Sequence, residues 1–191
     1  MQIVFATNNS NKVKEVQSLI PSHIKLLSLK DIECFEDVPE TQPTIEGNAK
    51  QKANYIKQHY GYDCFADDTG LEVEALDGAP GVFSARYAGP QRNDQDNMDL
   101  LLKNLNNKPT RDAQFKTVIA LELDGKLNTF TGICKGEITS TKQGNQGFGY
   151  DPIFKPNGFD NTFAQMDLTQ KNTIGHRGKA VQLLIDFLNS M

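Results

Sequence analysis

Two adjacent carboxylates, Asp67 and Asp68, are the first residues in this sequence whose types and spacing suggest chemistry. They follow the apolar run Cys64–Ala66, which predicts a short buried strand, and precede Thr69 and Gly70. We therefore expect them at the C-terminal end of a strand, the edge where open α/β sheets usually bind ligands. One acid of such a pair can bind Mg²⁺ while the other polarises water. A simple strand-ending turn is the alternative, since Asp and Gly are common there.

A polar segment from Thr7 to Lys12 separates the first predicted strand from the first predicted helix. The N-terminus of a helix presents unpaired N–H groups and a partial positive charge, which suit phosphate oxygens. Lys12 adds a compact cation, but the glycine spacing of a Walker A loop is absent. The segment therefore predicts either a phosphate site or a capped helix start with a solvated lysine.

Three further residues are candidates for the same chemistry. Asn48 and Lys52 are four residues apart on a predicted helix and so share a face, from which they either reach a triphosphate or face solvent. Glu40 lies in an acidic segment, Glu33 to Gln42, that is expected to be an exposed loop. It is a candidate third carboxylate among several neighbouring acids.

Aromatic residues and glycines alternate from Gly147 to Pro152. Glycine lets the backbone approach a ligand closely, an aromatic ring such as Phe148 stacks on a base, and Asp151 accepts hydrogen bonds from ring N–H groups. The alternative is a glycine-bent strand with Phe148 in the core.

Downstream, Lys171 and the pair His176 and Arg177, which stands between two glycines, concentrate hydrogen-bond donors just before the last predicted helix. These donors suit the 6-keto oxygen of a purine or a phosphate. A lone His is more often structural, so this alternative also stays open.

Hydrophobic periodicity places these residues on a mixed α/β chain whose central antiparallel section is a candidate lobe. Asp124 and Gly125 predict a hairpin turn, and Asn93 predicts a helix cap. The expected strands are Gln2–Ala6, Ile24–Leu29, Cys64–Ala66, Leu71–Ala75, Phe115–Leu123 and Lys126–Ile138. The expected helices are Lys12–Ile20, one with Pro43 in its first turn and a stripe from Ile45 to Ile56, one containing Met98–Leu105, and Ala180–Leu188.

Composition excludes several classes of protein. The 191 residues are 38% hydrophobic and 23% charged, which is typical of a globular chain long enough to bury a sizeable core. A net charge of −4 without a basic block argues against a nucleic-acid polymer as partner. No apolar run approaches the roughly 20 residues that span a bilayer. Three widely spaced cysteines and an N-terminal run that turns polar at Thr7 favour a cytoplasmic protein with reduced thiols.

Taken together, these motifs resemble those of the inosine triphosphate pyrophosphatase family (XTP/dITP diphosphatases), nearly from end to end. Each motif is modest alone, but six in the same order are specific. They are Ala6–Asn9 with Lys12, Glu46–Ala49 with Lys52, Ala66–Leu71, Gly78–Gly81 with Ser84–Tyr87, Phe148–Pro152, and Lys171 with Gly175–Gly178. Members often have Ser at the positions of Thr69 and Gly175. The first difference keeps a hydroxyl group and the second removes one.

The resemblance implies one domain over residues 1–191, an α/β fold with two lobes around a mixed sheet and a nucleotide cleft between them, usually as a homodimer. It also implies Mg²⁺-dependent cleavage of ITP, dITP or XTP to the monophosphate and pyrophosphate. Asp68 would be the base and a metal ligand, with Glu40 and Asp67 supporting the metal. The implied substrate-binding residues are Thr7, Asn8, Asn9, Ser10, Asn11, Lys12, Lys52, Thr69, Phe148, Gly149, Tyr150, Asp151, Lys171, His176 and Arg177.

Two other functions remain open from the sequence. One is a related pyrophosphatase with another base preference, such as modified pyrimidines. The other is a nucleotide sensor without catalysis, since a fold can persist after its chemistry is lost. The intact set of Asp67, Asp68, Lys12 and Lys52 argues against the sensor.

Overall fold

The computed structural model describes residues 1–191 and contains one seven-stranded sheet. Its path is β2-β1-β3-β5-β6-β7, and β4 pairs with β3. β1 runs parallel to β2 and β3, whereas β4 and β7 are antiparallel to β3 and β6, so the predicted mixed α/β fold is confirmed. The strands are β1 (Gln2–Phe5), β2 (Lys25–Leu27), β3 (Cys64–Val73), β4 (Pro80–Gly81), β5 (Asp112–Leu123), β6 (Lys126–Ile138) and β7 (Phe154–Pro156).

Five α-helices accompany the sheet, and polar side chains cap the first turns of the first four. Thr44 accepts a hydrogen bond from Gly47 N–H at the start of α2, and Asn93 accepts from two backbone N–H groups at the start of α3. None of the helices combines the length and the apolar character needed to cross a membrane. The helices are α1 (Ser10–Gln17), α2 (Ile45–Tyr60), α3 (Asp94–Asn104), α4 (Leu168–Ile174) and α5 (His176–Asn189).

The chain forms two compact units, each assembled from separated segments. The first unit comprises Met1–Asp68, Thr117–Gly132 and Arg177–Met191. Its core joins side chains of β1, α1, β3, β5 and α5, among them Phe5, Val16, Phe65, Ile119 and Leu184. Because the C-terminal helix packs into this core, the two ends of the chain share one hydrophobic cluster.

The second unit comprises Thr69–Lys116 and Ile133–His176. Its core joins β3, α3, β5, β6 and β7, among them Leu71, Leu101, Phe115, Phe154 and Phe163. The rings of Phe115 and Phe154 meet edge to face, with centroids 4.7 Å apart.

The β5–β6 hairpin has the turn that the sequence predicts. Asp124 and Gly125 both have positive φ, 50° and 73°, as a two-residue turn between twisted strands requires. β6 covers the predicted Lys126–Ile138, and β5 begins three residues earlier than expected, at Asp112.

The prediction that β3 ends before Asp67 is wrong. β3 is one ten-residue strand that continues through both carboxylates to Val73, because Leu71 and Val73 bury their side chains and keep the strand regular. However, β1 ends at Phe5, opposite Phe65. The carboxylates therefore still lie just beyond the C-terminal end of β1.

Three predicted helix starts also need correction. α1 begins at Ser10 rather than Lys12, since Asn9 caps it, and Pro43 lies before the cap of α2, Thr44, rather than in its first turn. α5 begins at His176 instead of Ala180. The first turn of α5 buries the polar side chains of His176 and Arg177, so apolar periodicity does not indicate that the helix begins there.

Two short elements differ from the sequence prediction as well. The predicted strand at Leu71–Ala75 ends at Val73, and Ala75 lies in a 3₁₀ turn, Glu74–Leu76. The helix α4 was not predicted, because it has only seven residues and little apolar periodicity.

Candidate active site

The first unit brings Lys12 and Asp67 together. Lys12 follows β1, and Asp67 lies in β3 just beyond the stretch that pairs with β1, at the edge where parallel strands gather ligand-binding groups. The Lys12 ammonium donates to Asp67 Oδ1 at 2.9 Å, with the lysine side chain only 13% exposed and the carboxylate fully buried. Lys12 is therefore an internal partner of Asp67 and not a solvated lysine.

The loop before α1 is built as a helix cap. Asn9 Oδ1 accepts hydrogen bonds from the backbone N–H of Asn11 at 3.0 Å and of Lys12 at 3.2 Å, and Thr7 Oγ1 accepts from Asn9 N–H. Asn8 and Ser10 are exposed. The helix cap is therefore present as predicted, although Lys12 is not solvated, and the contact of this segment with phosphate stays a prediction.

Arg177 anchors the other side of Asp67. Its side chain, 3% exposed in the first turn of α5, donates from Nε to Asp67 Oδ2 at 3.2 Å and from Nη1 to the Glu15 carboxylate. Glu15 lies on α1, one turn after Lys12, so both face the same side of that helix. Glu15 is not among the residues predicted from the sequence, although its spacing of three residues from Lys12 is a signal that the sequence contains.

Asp68 has different partners, all on or beside α2. Lys52 Nζ lies 3.5 Å from Asp68 Oδ1 and 2.6 Å from Glu40 Oε1. The side-chain amide of Asn48 donates to Asp68 Oδ2 at 3.3 Å. Lys52 and Asn48 are 5% and 2% exposed, so this face of α2 is buried rather than solvated.

The adjacent carboxylates have pKa values shifted in opposite directions. Burial would raise the pKa of Asp67, but the positive charges of Lys12, Arg177 and Lys52 outweigh it and hold that pKa well below its usual range. For Asp68 burial prevails over Lys52 and Lys12, so its pKa is raised. Two carboxyl groups with diverging pKa values are typical of sites that need one fixed anion and one proton acceptor.

The charges of this cluster leave room for a divalent cation. It contains the three cations Lys12, Lys52 and Arg177 and the four carboxylates Glu15, Glu40, Asp67 and Asp68. No group of three or more acidic, His or Cys side chains is arranged to hold a metal ion by itself. Mg²⁺ bound to a nucleotide needs only one or two carboxylates, and Asp68 and Glu40, which converge on one ammonium, are hard oxygen donors of that kind.

The second unit assembles another set of predicted residues around Asp151. Its Oδ2 accepts from Phe148 N–H at 2.8 Å and from Lys171 Nζ at 2.6 Å. The Lys171 ammonium lies 4.9 Å from the centroid of the half-buried Phe148 ring. Residues Asp151–Ile153 form a 3₁₀ turn, so the alternative of a glycine-bent strand is wrong.

Glycines shape this loop for a physical reason. Gly147 has φ +74°, and a Cβ atom there would lie 2.0 Å from Asp151 Oδ2. Gly149, with φ +62°, has open space at that position, and its N–H donates to Asp94 Oδ2 at 2.7 Å. Only glycine therefore fits at position 147 while Asp151 keeps its partners.

Tyr150 and His176 are built into the core of the second unit. Tyr150 is 4% exposed and donates to the Ser84 carbonyl at 2.8 Å. The His176 ring stacks on Phe115, with centroids 4.5 Å apart. Both residues therefore have structural contacts within this core. Their roles toward a substrate stay predictions, and so does the role of the half-buried Thr69.

The predicted residues thus fall into two clusters, one in each unit. The first unit gathers Lys12, Glu40, Lys52, Asp67, Asp68 and Arg177. The second unit gathers Phe148, Asp151 and Lys171.

Solved structures with the same fold share its full length. The chain superposes on a Ham1 protein from Staphylococcus aureus with a TM-score of 0.91 at 40% identity, covering 100% of this chain and 99% of that one. A HAM1 protein from Coxiella burnetii gives a TM-score of 0.92 at 38% identity, with both chains fully covered.

The sequence comparisons agree with the structural ones. The Ham1 family profile matches residues 3–187, and the chain belongs to this family. A relative from Flavobacterium johnsoniae named dITP/XTP pyrophosphatase is 66% identical, covering 100% of this chain and 99% of the relative. A Porphyromonas gingivalis relative of the same name is 48% identical over 98% and 97% of the two chains. The resemblance inferred from the motifs is confirmed.

Replacing Asp67 with Asn is expected to lower the free energy of unfolding at neutral pH by about 3–5 kcal/mol, because the buried charge of Lys12 would lose its ion-pair partner and that of Arg177 would lose one of its carboxylate partners. The depressed pKa of Asp67 makes its contribution fully present above the ordinary Asp pKa of about 3.9 and lost as pH falls below it. The difference between wild type and Asp67→Asn, measured by urea denaturation, should therefore shrink below about pH 4.

Asp63→Asn is the matched control. Asp63 pairs with Lys57 at 2.7 Å, but both side chains are about one-third exposed, so the loss should be at most about 1 kcal/mol. An Asp67→Asn loss as small as that of the control, or one that does not change with pH, would contradict the role of Asp67.

Gly147→Ala is expected to destabilise the protein more than Gly149→Ala. Both substitutions force a positive φ on alanine, at about 1–2 kcal/mol, but only the first drives a methyl group into Asp151. We expect Gly147→Ala to lose at least about 1 kcal/mol more in urea denaturation, the scale of a broken buried hydrogen bond. Equal losses would show that Asp151 moves aside freely.

Proposed function

We propose that this protein hydrolyses the non-standard purine nucleoside triphosphates ITP, dITP and XTP to the monophosphate and pyrophosphate, with Mg²⁺ as cofactor. Support comes from relatives named dITP/XTP pyrophosphatase that match it along their whole length. The observation that carries the proposal is the buried Asp68 carboxylate, whose raised pKa and lysine and amide partners suit a general base.

The proposed reaction is a single displacement at the α-phosphorus. Asp68 takes a proton from water as the water oxygen attacks that phosphorus. The bond from the α-phosphorus to the oxygen that bridges to the β-phosphate breaks, and pyrophosphate leaves. Lys12 and Lys52, whose ammonium groups lie beside Asp67 and Asp68, would stabilise the negative charge that develops on the leaving group.

Asp68 and Glu40 would hold Mg²⁺. Their oxygens converge on Lys52 Nζ, and the cluster has one carboxylate more than it has cations. When bound, the metal supplies charge stabilisation to phosphate oxygens. Both oxygens of Asp67 already contact Lys12 and Arg177, so we assign Asp67 to positioning the lysine rather than to direct ligation.

The base is proposed to contact Phe148 and its neighbours. Phe148 presents a half-buried ring for stacking, and Lys171, whose ammonium lies 4.9 Å from the centroid of that ring, is a hydrogen-bond donor. Hypoxanthine and xanthine carry an acceptor at position 6 where adenine carries a donor, so a site made of donors discriminates between them. Because Arg177 is occupied by Glu15 and Asp67, we no longer assign it to the base.

We also retain a homodimer and a cytoplasmic location as parts of the proposal. The dimer and the nucleotide cleft follow from the family resemblance. The location is supported by the three cysteines, which are all buried thiols. Burial raises the pKa of the Cys64 thiol to about 12. The group is therefore a protonated thiol at neutral pH, and little of the oxidation-sensitive thiolate forms.

Steady-state kinetics on a nucleotide panel test the function. We expect kcat/KM for ITP, dITP and XTP to exceed that for ATP by roughly 10⁴-fold, the scale of a mismatched hydrogen-bond donor, with release of pyrophosphate that requires Mg²⁺. GTP should also be a poor substrate. Equal turnover of ATP or GTP would overturn the base preference, and ITP binding without turnover would indicate a sensor.

Asp68→Asn tests the general base. The substitution keeps the shape of the side chain but removes its proton affinity, so kcat should fall by about 10²–10⁴-fold while the protein remains folded by circular dichroism. Asp63→Asn, at a pair of the same unit that is about one-third exposed, should retain wild-type kcat. Near-normal turnover of Asp68→Asn would refute the assignment.

A further inference from the structure

Asn48 has an amide group whose orientation is fixed by its surroundings. It is 2% exposed, and its Oδ1 accepts a hydrogen bond from the backbone N–H of Gln42 at 2.8 Å. A backbone N–H can only donate, so the amide oxygen must face Gln42. The amino group of Asn48 therefore has to point the other way, toward Asp68 Oδ2 at 3.3 Å.

The carboxylate of Asp68 is held at both oxygens by one face of α2. Asn48 contacts Oδ2, and Lys52, one turn further along the helix, lies 3.5 Å from Oδ1. With one donor opposite each oxygen, the plane of the carboxylate is defined and not only its distance. A charged partner alone, such as Lys52, would not define that plane.

The same two residues also hold the acidic segment that contains Glu40. Lys52 pairs with Glu40 Oε1 at 2.6 Å, and Asn48 binds the backbone of Gln42 two residues further on. Gln51 adds two hydrogen bonds to Thr41, each of 2.9 Å. The helix α2 thus sets the position of Asp68 and of the Glu40 segment at once.

We propose that Asn48 is a positioning residue for the reaction, which aims the Asp68 carboxylate at the attacking water and ties it to the Glu40 segment. This inference rests on the proposed function, because it concerns the geometry of the proposed base. Asn48 does not touch the substrate in this scheme. It acts through Asp68.

Asn48→Asp separates the two contacts of the amide. The carboxylate keeps the shape and the acceptor for Gln42 N–H, but presents an oxygen instead of a donor to Asp68. We expect kcat to fall by about 10–100-fold, as for other residues that orient a reactive group. KM should stay within about threefold, since phosphate contacts are unchanged.

Asn48→Ala removes both contacts, and it replaces Asn48→Asp as the test variant if Asn48→Asp does not fold. It should show a similar loss of kcat, again with little change in KM. Hydrogen exchange at the Gln42 amide, measured without substrate, should stay slow in Asn48→Asp and become fast in Asn48→Ala. This readout tests the geometry even if the protein proves to have another activity.

Asn97→Asp is the matched control. Asn97 is also 2% exposed and also uses both ends of its amide, accepting from Ala88 N–H at 2.7 Å and donating to the Ala85 carbonyl at 3.1 Å. It contacts no carboxylate of the site, so Asn97→Asp should lower Tm without changing kcat of the folded enzyme.

Three results would overturn the proposal while leaving the proposed function intact. They are wild-type kcat in Asn48→Asp, a loss of kcat no larger than in Asn97→Asp, and a loss expressed in KM with kcat unchanged. Conversely, a wild-type protein without pyrophosphatase activity refutes the proposed function and this inference together, while the exchange behaviour of Gln42 would still report on the hydrogen bond itself.

Discussion

The buried carboxylate of Asp67 is the interaction on which the charged cluster depends. It lies on β3 between the Lys12 ammonium of α1 and the Arg177 guanidinium of α5, and no part of its side chain reaches solvent. Without this carboxylate, the two buried cations on separate elements would repel each other, and the free-energy cost of removing them from water would not be offset. The apolar core formed by the same strands and helices brings the three elements together, and Asp67 makes their charged ends compatible.

The neighbouring carboxylate, Asp68, has different surroundings from those of Asp67. Because successive side chains of a strand point to opposite sides, Asp68 faces α2 and pairs with Lys52, whereas Asp67 pairs with Lys12 and Arg177. Its pKa is therefore governed by burial, which raises it, whereas that of Asp67 is governed by its ion pairs, which lower it. Two chemically identical residues thus acquire different roles from their direction on one strand.

The sequence predicted those features that depend on local pattern. Asp124-Gly125 predicted the hairpin and Asn93 the start of α3, since turns and caps are made by neighbouring residues. Tertiary environment was harder to predict. Arg177 suggested a donor for a ligand, yet its partner Glu15 is 162 positions away in the chain. Periodicity also missed the first turn of α5, because paired polar side chains are buried there.

The charged cluster is better explained by function than by stability. Well-packed hydrophobic residues often stabilise a protein as much as a buried ion pair does, or more. Three cations and four carboxylates are therefore a less stabilising choice for these positions than apolar side chains would be. Such a cost is commonly accepted where activity needs it. The arrangement makes chemical sense if the surplus negative charge is met by a divalent cation. The site then has a positive balance, which a polyphosphate needs in order to bind.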